Sequence, residues 1–101
     1  MKLYIDTTDG EDIVIGIGDK RFKTKAKRER SQKLLSFIDE KLEESNLSIK
    51  GIDEVEVETG PGSFTGIRVG VSVANTIGWV MNVPVNGNNL RKGKSVEIKY
   101  E

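Results

Sequence analysis

Two short stretches carry residue types that bind phosphates. Asp6, Thr7 and Thr8 end the first apolar run with a carboxylate and two hydroxyls, and Gly60, Pro61, Gly62, Ser63, Phe64, Thr65 and Gly66 join a strand-like run to a longer apolar one. A glycine-rich loop that opens a helix offers backbone N–H groups and the positive end of the helix dipole to an anion. Against a nucleotide pocket, no lysine follows in the GxxxxGK[ST] spacing, and Glu58 stands just ahead of the loop. The residues therefore favour a stiff strand-to-helix turn that orders a partner-binding helix, with Asp6, Thr7 and Thr8 kept as weak candidates for a nucleotide.

What other chemistry is open follows from two absences. The chain of 101 residues has no cysteine and no histidine. Disulfides, thiolate and Ser-His nucleophiles, zinc-thiolate and imidazole metal sites are all excluded, which leaves carboxylates, lysines and hydroxyls. No catalytic residue, metal site or cofactor is expected. Sixteen basic residues balance sixteen acidic ones, so the net charge recruits no nucleic acid by itself. Its distribution is uneven. Lys20 to Lys33 holds eight cations against Glu29 alone, while Asp39 to Glu58 holds eight acids and two lysines. No apolar run is long enough to span a bilayer, and the N-terminus lacks the apolar stretch of a signal peptide, so a cytoplasmic protein with no membrane partner is expected.

The elements that must position these residues come from periodicity. Leu3 and Ile5 alternate on one side of Lys2 to Asp6, and Ile13, Ile15 and Ile17 do so after Asp9-Gly10, which predicts a hairpin. Arg21 to Lys27 turns Phe22, Thr24 and Ala26 inward and Arg21, Lys23, Lys25 and Lys27 outward, the pattern of an edge strand guarded by charge. The same four cations are candidate contacts to RNA phosphates. From Ser31, a plausible N-cap, the period becomes helical, with Leu34, Leu35, Ile38 and Leu42 in a stripe up to Ser45. Glu54 to Thr59 is strand-like with glutamates on one side, and a sheet bare on one face follows, since no element is left to cover it.

Ile67 to Met81 is ambiguous between strand and helix, and its length decides for a helix. Its glycines cost about 1 kcal/mol each relative to alanine, so it must lean on neighbours. Gly66, Gly70, Ala74 and Gly78 line one side at four-residue intervals and let another backbone approach. That backbone is either the chain's own sheet or a partner's helix. Val83-Pro84-Val85 starts a short strand, Asn86-Gly87-Asn88-Asn89 is a turn, and Lys94 to Glu101 alternates as one more strand. The expected fold is α/β, a single ribonuclease H-like or actin-like lobe with a mixed sheet of about five to six strands and two main helices. Residues 1–90 form the lobe, and residues 91–101 are an added strand or tail of the same domain.

Three segments carry a resemblance. "LYIDTT", "RSQKLLSFIDEKLEESNL" and "GPGSFTGIRVGVSVANTIGWVMNVPVNG" together resemble the N-terminal lobe of the TsaB family, also called YeaZ, of bacterial threonylcarbamoyladenosine tRNA modification. The likeness covers roughly residues 1 to 87, and Gly60 to Gly70 is its most specific part. It implies a non-catalytic scaffold that pairs with the actin-like subunit TsaD and works with the ATPase TsaE, touching tRNA indirectly. It further implies that the two helices, Ser31 to Ser45 and Ile67 to Met81, form a four-helix contact in a homodimer or heterodimer. On that basis Leu34, Ile38, Arg68, Gly70, Val71, Ala74, Gly78 and Trp79 are the expected interface.

The sequence departs from the family in two places. These 101 residues are expected to hold the first lobe of the family without its second, and Arg30-Ser31 stands where a His-Ser pair often opens the first helix. Two rival readings remain, a self-pairing lobe with no catalytic role and a nucleotide- or RNA-binding module.

Overall fold

The structure, a computed structural model, describes residues 1–92. Strands β1 (Lys2–Asp6), β2 (Asp12–Ile17) and β3 (Lys20–Lys25) form an antiparallel meander, and β4 (Glu54–Val57) joins β1 in parallel, giving the order β3-β2-β1-β4. Helix α1 (Arg30–Glu44) makes the crossover between β3 and β4, and α2 (Phe64–Met81) follows β4. This is the expected mixed sheet with two helices, with four strands among the described residues.

The first hairpin is set by Asp9, whose carboxylate accepts the amides of Glu11 and Asp12 at 2.7 and 3.0 Å and so folds the turn locally. Those two amides are also the main reason that the Asp9 carboxyl lies below its ordinary pKa, ahead of the nearby Arg30 charge. The second turn is the pair Gly18-Asp19, with Gly18 at φ 59°, and register then runs from Ile17 against Lys20 to Asp12 against Lys25.

Alternation decides the layers. Leu3, Ile5, Ile13, Ile15, Val55 and Val57 are buried beneath the helices with Leu34, Ile38, Ile67 and Ala74. The opposite face bears Lys2, Tyr4, Arg21, Lys23, Lys25, Glu54 and Glu56, all exposed or half-exposed. No helix covers it among the described residues, as the count of elements predicts. Basic residues on β3 and acidic ones on β4 give it opposite charges at its two edges. Arg21 lies 4.0 Å above the Tyr4 ring, and the Tyr4 hydroxyl donates to Glu58 at 2.9 Å.

The strand count is corrected at Val85, which makes isolated bridges to Val55 and Asn88 and no more. Asn86 takes a left-handed conformation at φ 48°, and the chain reverses there. Its carboxamide then stands in for the missing strand, accepting from the Val57 N–H at 2.8 Å and donating to the Val57 carbonyl at 3.0 Å. The strand expected over 94–101 lies outside the described residues.

Helix α1 begins one residue earlier than the sequence suggests. Glu29 at φ 51° is the N-cap with no side-chain bond, and Ser31 sits within the first turn. The cause is Arg30, which is pinned inside the fold and so becomes the first helical residue. Helix α2 begins at Phe64, three residues before its apolar stripe, because Ser63 caps it by accepting from the Gly66 amide. It ends at Asn82, left-handed at φ 56°, with Val83 N–H returning to the Gly78 carbonyl at 3.0 Å. Arg91 donates to the last-turn carbonyls of Trp79 and Val80 at 3.0 and 3.4 Å.

Candidate functional site

The phosphate-type turn and the glycine loop meet, and they spend their polar groups on each other. Asp6 accepts both the amide and the hydroxyl of Thr8 at 2.9 and 2.6 Å. Thr7 is fully buried and its hydroxyl donates to the Gly66 carbonyl at 2.5 Å, while Ser63 N–H donates to the Thr8 carbonyl at 2.7 Å. At the start of α2 the Gly66 and Ile67 amides, which a phosphate would need, are taken by the Ser63 hydroxyl and carbonyl at 3.2 and 2.8 Å. Of the weak nucleotide candidates, Thr7 is buried and has no surface left for a ligand, while Asp6 and Thr8 bond each other and help zip β1 to the loop.

Arg30 completes this junction and was invisible as such in the sequence. Only 8% exposed, it donates through Nη2 to the carbonyls of Asp9 and Asp12 at 2.7 and 2.9 Å. Its Nη1 lies 2.8 Å from where a Cβ on Gly66 would be, which ties the hairpin, α1 and α2 at one point. A buried cation held by carbonyls is costly to strand, so the arginine is structural here. An isolated arginine at a helix start gave no signal of this, because its partners come from another element.

The small stripe of α2 also turns inward. A Cβ at Gly70 would collide with Thr7 Oγ1 and lie 3.3 Å from Ile5, and one at Gly78 would collide with Val85 and lie 3.1 Å from the Val83 carbonyl. Leu34, Ile38, Val71 and Ala74 are at most 5% exposed. Leu34, Gly70, Val71, Ala74 and Gly78, expected as partner contacts, seat the helices on their own sheet and on each other, while Ile38 is buried but also lines the groove between the helices. A side chain buried in its own core has no surface left to give.

Of the expected interface, Arg68 and Trp79 stay outside, Trp79 at 55%. The apolar surface that sequence reasoning missed lies between α1, α2 and the turn after α1. Leu35, Leu47 and Ile49 are 50%, 45% and 38% exposed, and with Ile38, Leu42 and Ile77 they line a groove of about 450 Å³. Val80, 62% exposed, follows Ile77 along α2. Leu35 belongs to the apolar stripe of α1 yet is left exposed at its border, so the width of that stripe was the available signal. The basic residues Arg21, Lys23, Lys25 and Lys27 are spread along β3 and its end, with Lys23 and Lys27 paired to Asp12 and Glu11 at 3.8 and 3.4 Å. Among the described residues no cluster of three acidic side chains could hold a metal, and no helix is long and apolar enough to cross a membrane.

A zipped glycine turn feeding a helix that is seated by its small residues is thus the organising unit, and it falls inside the matched family region. The family model described as tRNA N6-adenosine threonylcarbamoyltransferase (TsaD) matches residues 23–90, more than half of the chain. The chain belongs to the TsaD family. Its relatives include TsaB proteins and also a tRNA N6-adenosine threonylcarbamoyltransferase, that of Persephonella marina, 33% identical over 60 residues, covering 59% of this chain and 17% of that one. The chain is 29% identical over 76 residues to the tRNA threonylcarbamoyladenosine biosynthesis protein TsaB of Bacillus subtilis, covering 75% of this chain and 31% of that protein. It is 38% identical over 60 residues to TsaB of Haemophilus influenzae, covering 59% of this chain and 25% of that one. YeaZ from Pseudomonas aeruginosa shares the fold with a TM-score of 0.69 at 23% identity, over 83% of this chain and 41% of that structure. The alignments thus span less than a third of these TsaB relatives.

Proposed function

We propose that the chain is a non-catalytic partner subunit in the biosynthesis of tRNA threonylcarbamoyladenosine, and that it grips a TsaD-like subunit through its helix layer. Support comes from the relatives' names and from one feature above all, the apolar groove of Leu35, Leu47, Ile49 and Ile77. Large apolar side chains exposed side by side on a small domain mark a surface that is covered in use. Val80, one turn on from Ile77 and 62% exposed, extends the apolar surface along α2. The junction of loop and hairpin supports the scaffold role, since its hydroxyls and glycines hold the two helices in place.

The test is co-elution of the chain with the TsaD-like subunit of the same cell. Wild type is expected to form a complex, and Leu35→Glu to weaken it by about 2 kcal/mol or more, the cost of placing a charge at an anchor position. Leu35 is exposed, so the variant keeps its fold, which circular dichroism verifies. Gly70 or Gly78 would be poor choices, because substitution there disturbs the core. Unchanged co-elution of Leu35→Glu rejects this surface. A dimer of the chain alone that Leu35→Glu converts to monomer assigns the groove to self-pairing instead.

A further inference from the structure

We propose that the outer edge of β3 is a docking site for an extended acidic segment of another protein, which adds to the sheet as a further strand. The register against β2 determines what that edge presents. Ala26 N–H bonds the Glu11 carbonyl at 2.7 Å, and Ala26 with Glu11 continues the pairing of Lys25 with Asp12 and Thr24 with Ile13. In an antiparallel ladder such hydrogen-bonded pairs alternate, so Lys20, Phe22 and Thr24 spend their backbone groups on β2. Arg21, Lys23 and Lys25 aim theirs outward. No hydrogen bond to another described residue is recorded for these three amides and carbonyls, which form an open row along the edge.

Their side chains stand on the uncovered face of the sheet, about 6.8 Å apart along the strand. A strand laid against this edge places alternate side chains on that same face, so acidic residues at every second position meet cations. The intervening residues point to the helix side. There a groove of about 360 Å³ runs beside β3 toward α1, with Thr24, Gln32, Ser36 and Phe37 in its walls and Lys25, Glu29, Lys33 and Glu40 around them. It gives room to medium-sized side chains, with Thr24 and Phe37 as their apolar contacts. An acid-apolar alternation thus satisfies the backbone row, the charges and the groove together.

A second copy of the chain is a poor occupant. Antiparallel pairing of β3 with itself about Lys23 sets Lys23 against Lys23 and Arg21 against Lys25, which is repulsive. RNA phosphates could meet the cations, but they leave the amide row and the groove unused.

The full chain is titrated with a nine-residue peptide alternating glutamate and valine while amide exchange is followed by NMR. Slowed exchange is expected at Arg21, Lys23 and Lys25 and not at Phe22 or Thr24. Lys23→Glu is expected to weaken binding about tenfold, and N-methylation of alternate peptide amides to abolish it while leaving peptide charge intact. The proposal fails if the three amides stay unprotected at millimolar peptide, if the N-methylated peptide binds equally well, or if a single-stranded oligouridylate binds more tightly than the peptide at equal ionic strength.

Discussion

The two edges of the sheet meet the same difficulty in opposite ways. At β4 the edge is sealed from within, where Val55 N–H bonds the Pro84 carbonyl, Asn86 N–H returns to Val55, and the Asn86 carboxamide takes both backbone groups of Val57. At β3 no backbone partner covers the outer edge among the described residues, and charge guards it. Sealing costs ordered chain and a left-handed residue, and it makes the edge inert. Guarding costs little stability and leaves the edge selective, closed to its own kind and open to an acidic strand.

Breaking the sealed edge should cost most. Asn86→Gly is expected to lower stability by about 2 kcal/mol, since two hydrogen bonds are lost at the buried Val57. Asn86→Ala should cost about 1 kcal/mol more, because alanine resists the left-handed backbone that glycine accepts. Urea unfolding measures both, and equal losses would deny the conformational share.

The span between the edges is tested by pH. Tyr4 carries Arg21 from the basic side and donates to Glu58 on the acidic side, and its pKa is pushed up to about 12, first by burial and then by that hydrogen bond. The folded chain therefore holds this proton where an unfolded one loses it near the ordinary 10, so its contribution is complete below pH 10 and fades as pH climbs through 12. Tyrosinate absorbance should show a late-titrating group that vanishes in Tyr4→Phe. The smallest effect belongs to the guarded edge, where Lys23→Ala should move stability by no more than about 0.5 kcal/mol. A loss comparable to that of Asn86→Gly would mean that β3 is not free.

Much of this was legible beforehand. Alternation placed Leu3, Ile5 and the three isoleucines of β2 on one side, the lysines marked β3 as an edge, and Glu54 and Glu56 announced a bare face. Length alone separated helix from strand in α2. The interface was read less well. The stripe of Gly70, Ala74 and Gly78 was visible as small, but what it is small for was not, and Arg30 and Asn86 gave no hint because each acts on backbone far away in the chain.

By itself, then, the sequence determined the elements, the family and the charge of each surface, because period and residue type are local properties of the chain. Only the tertiary structure decided which neighbour each face meets: that the glycines of α2 admit the chain's own Thr7 and Val85, that the phosphate-type hydroxyls bond one another, and that Leu35 with Ile49 is left bare. The physical reason is that a periodic stripe specifies a contact without specifying its partner, and burial is settled when distant elements compete for the same space.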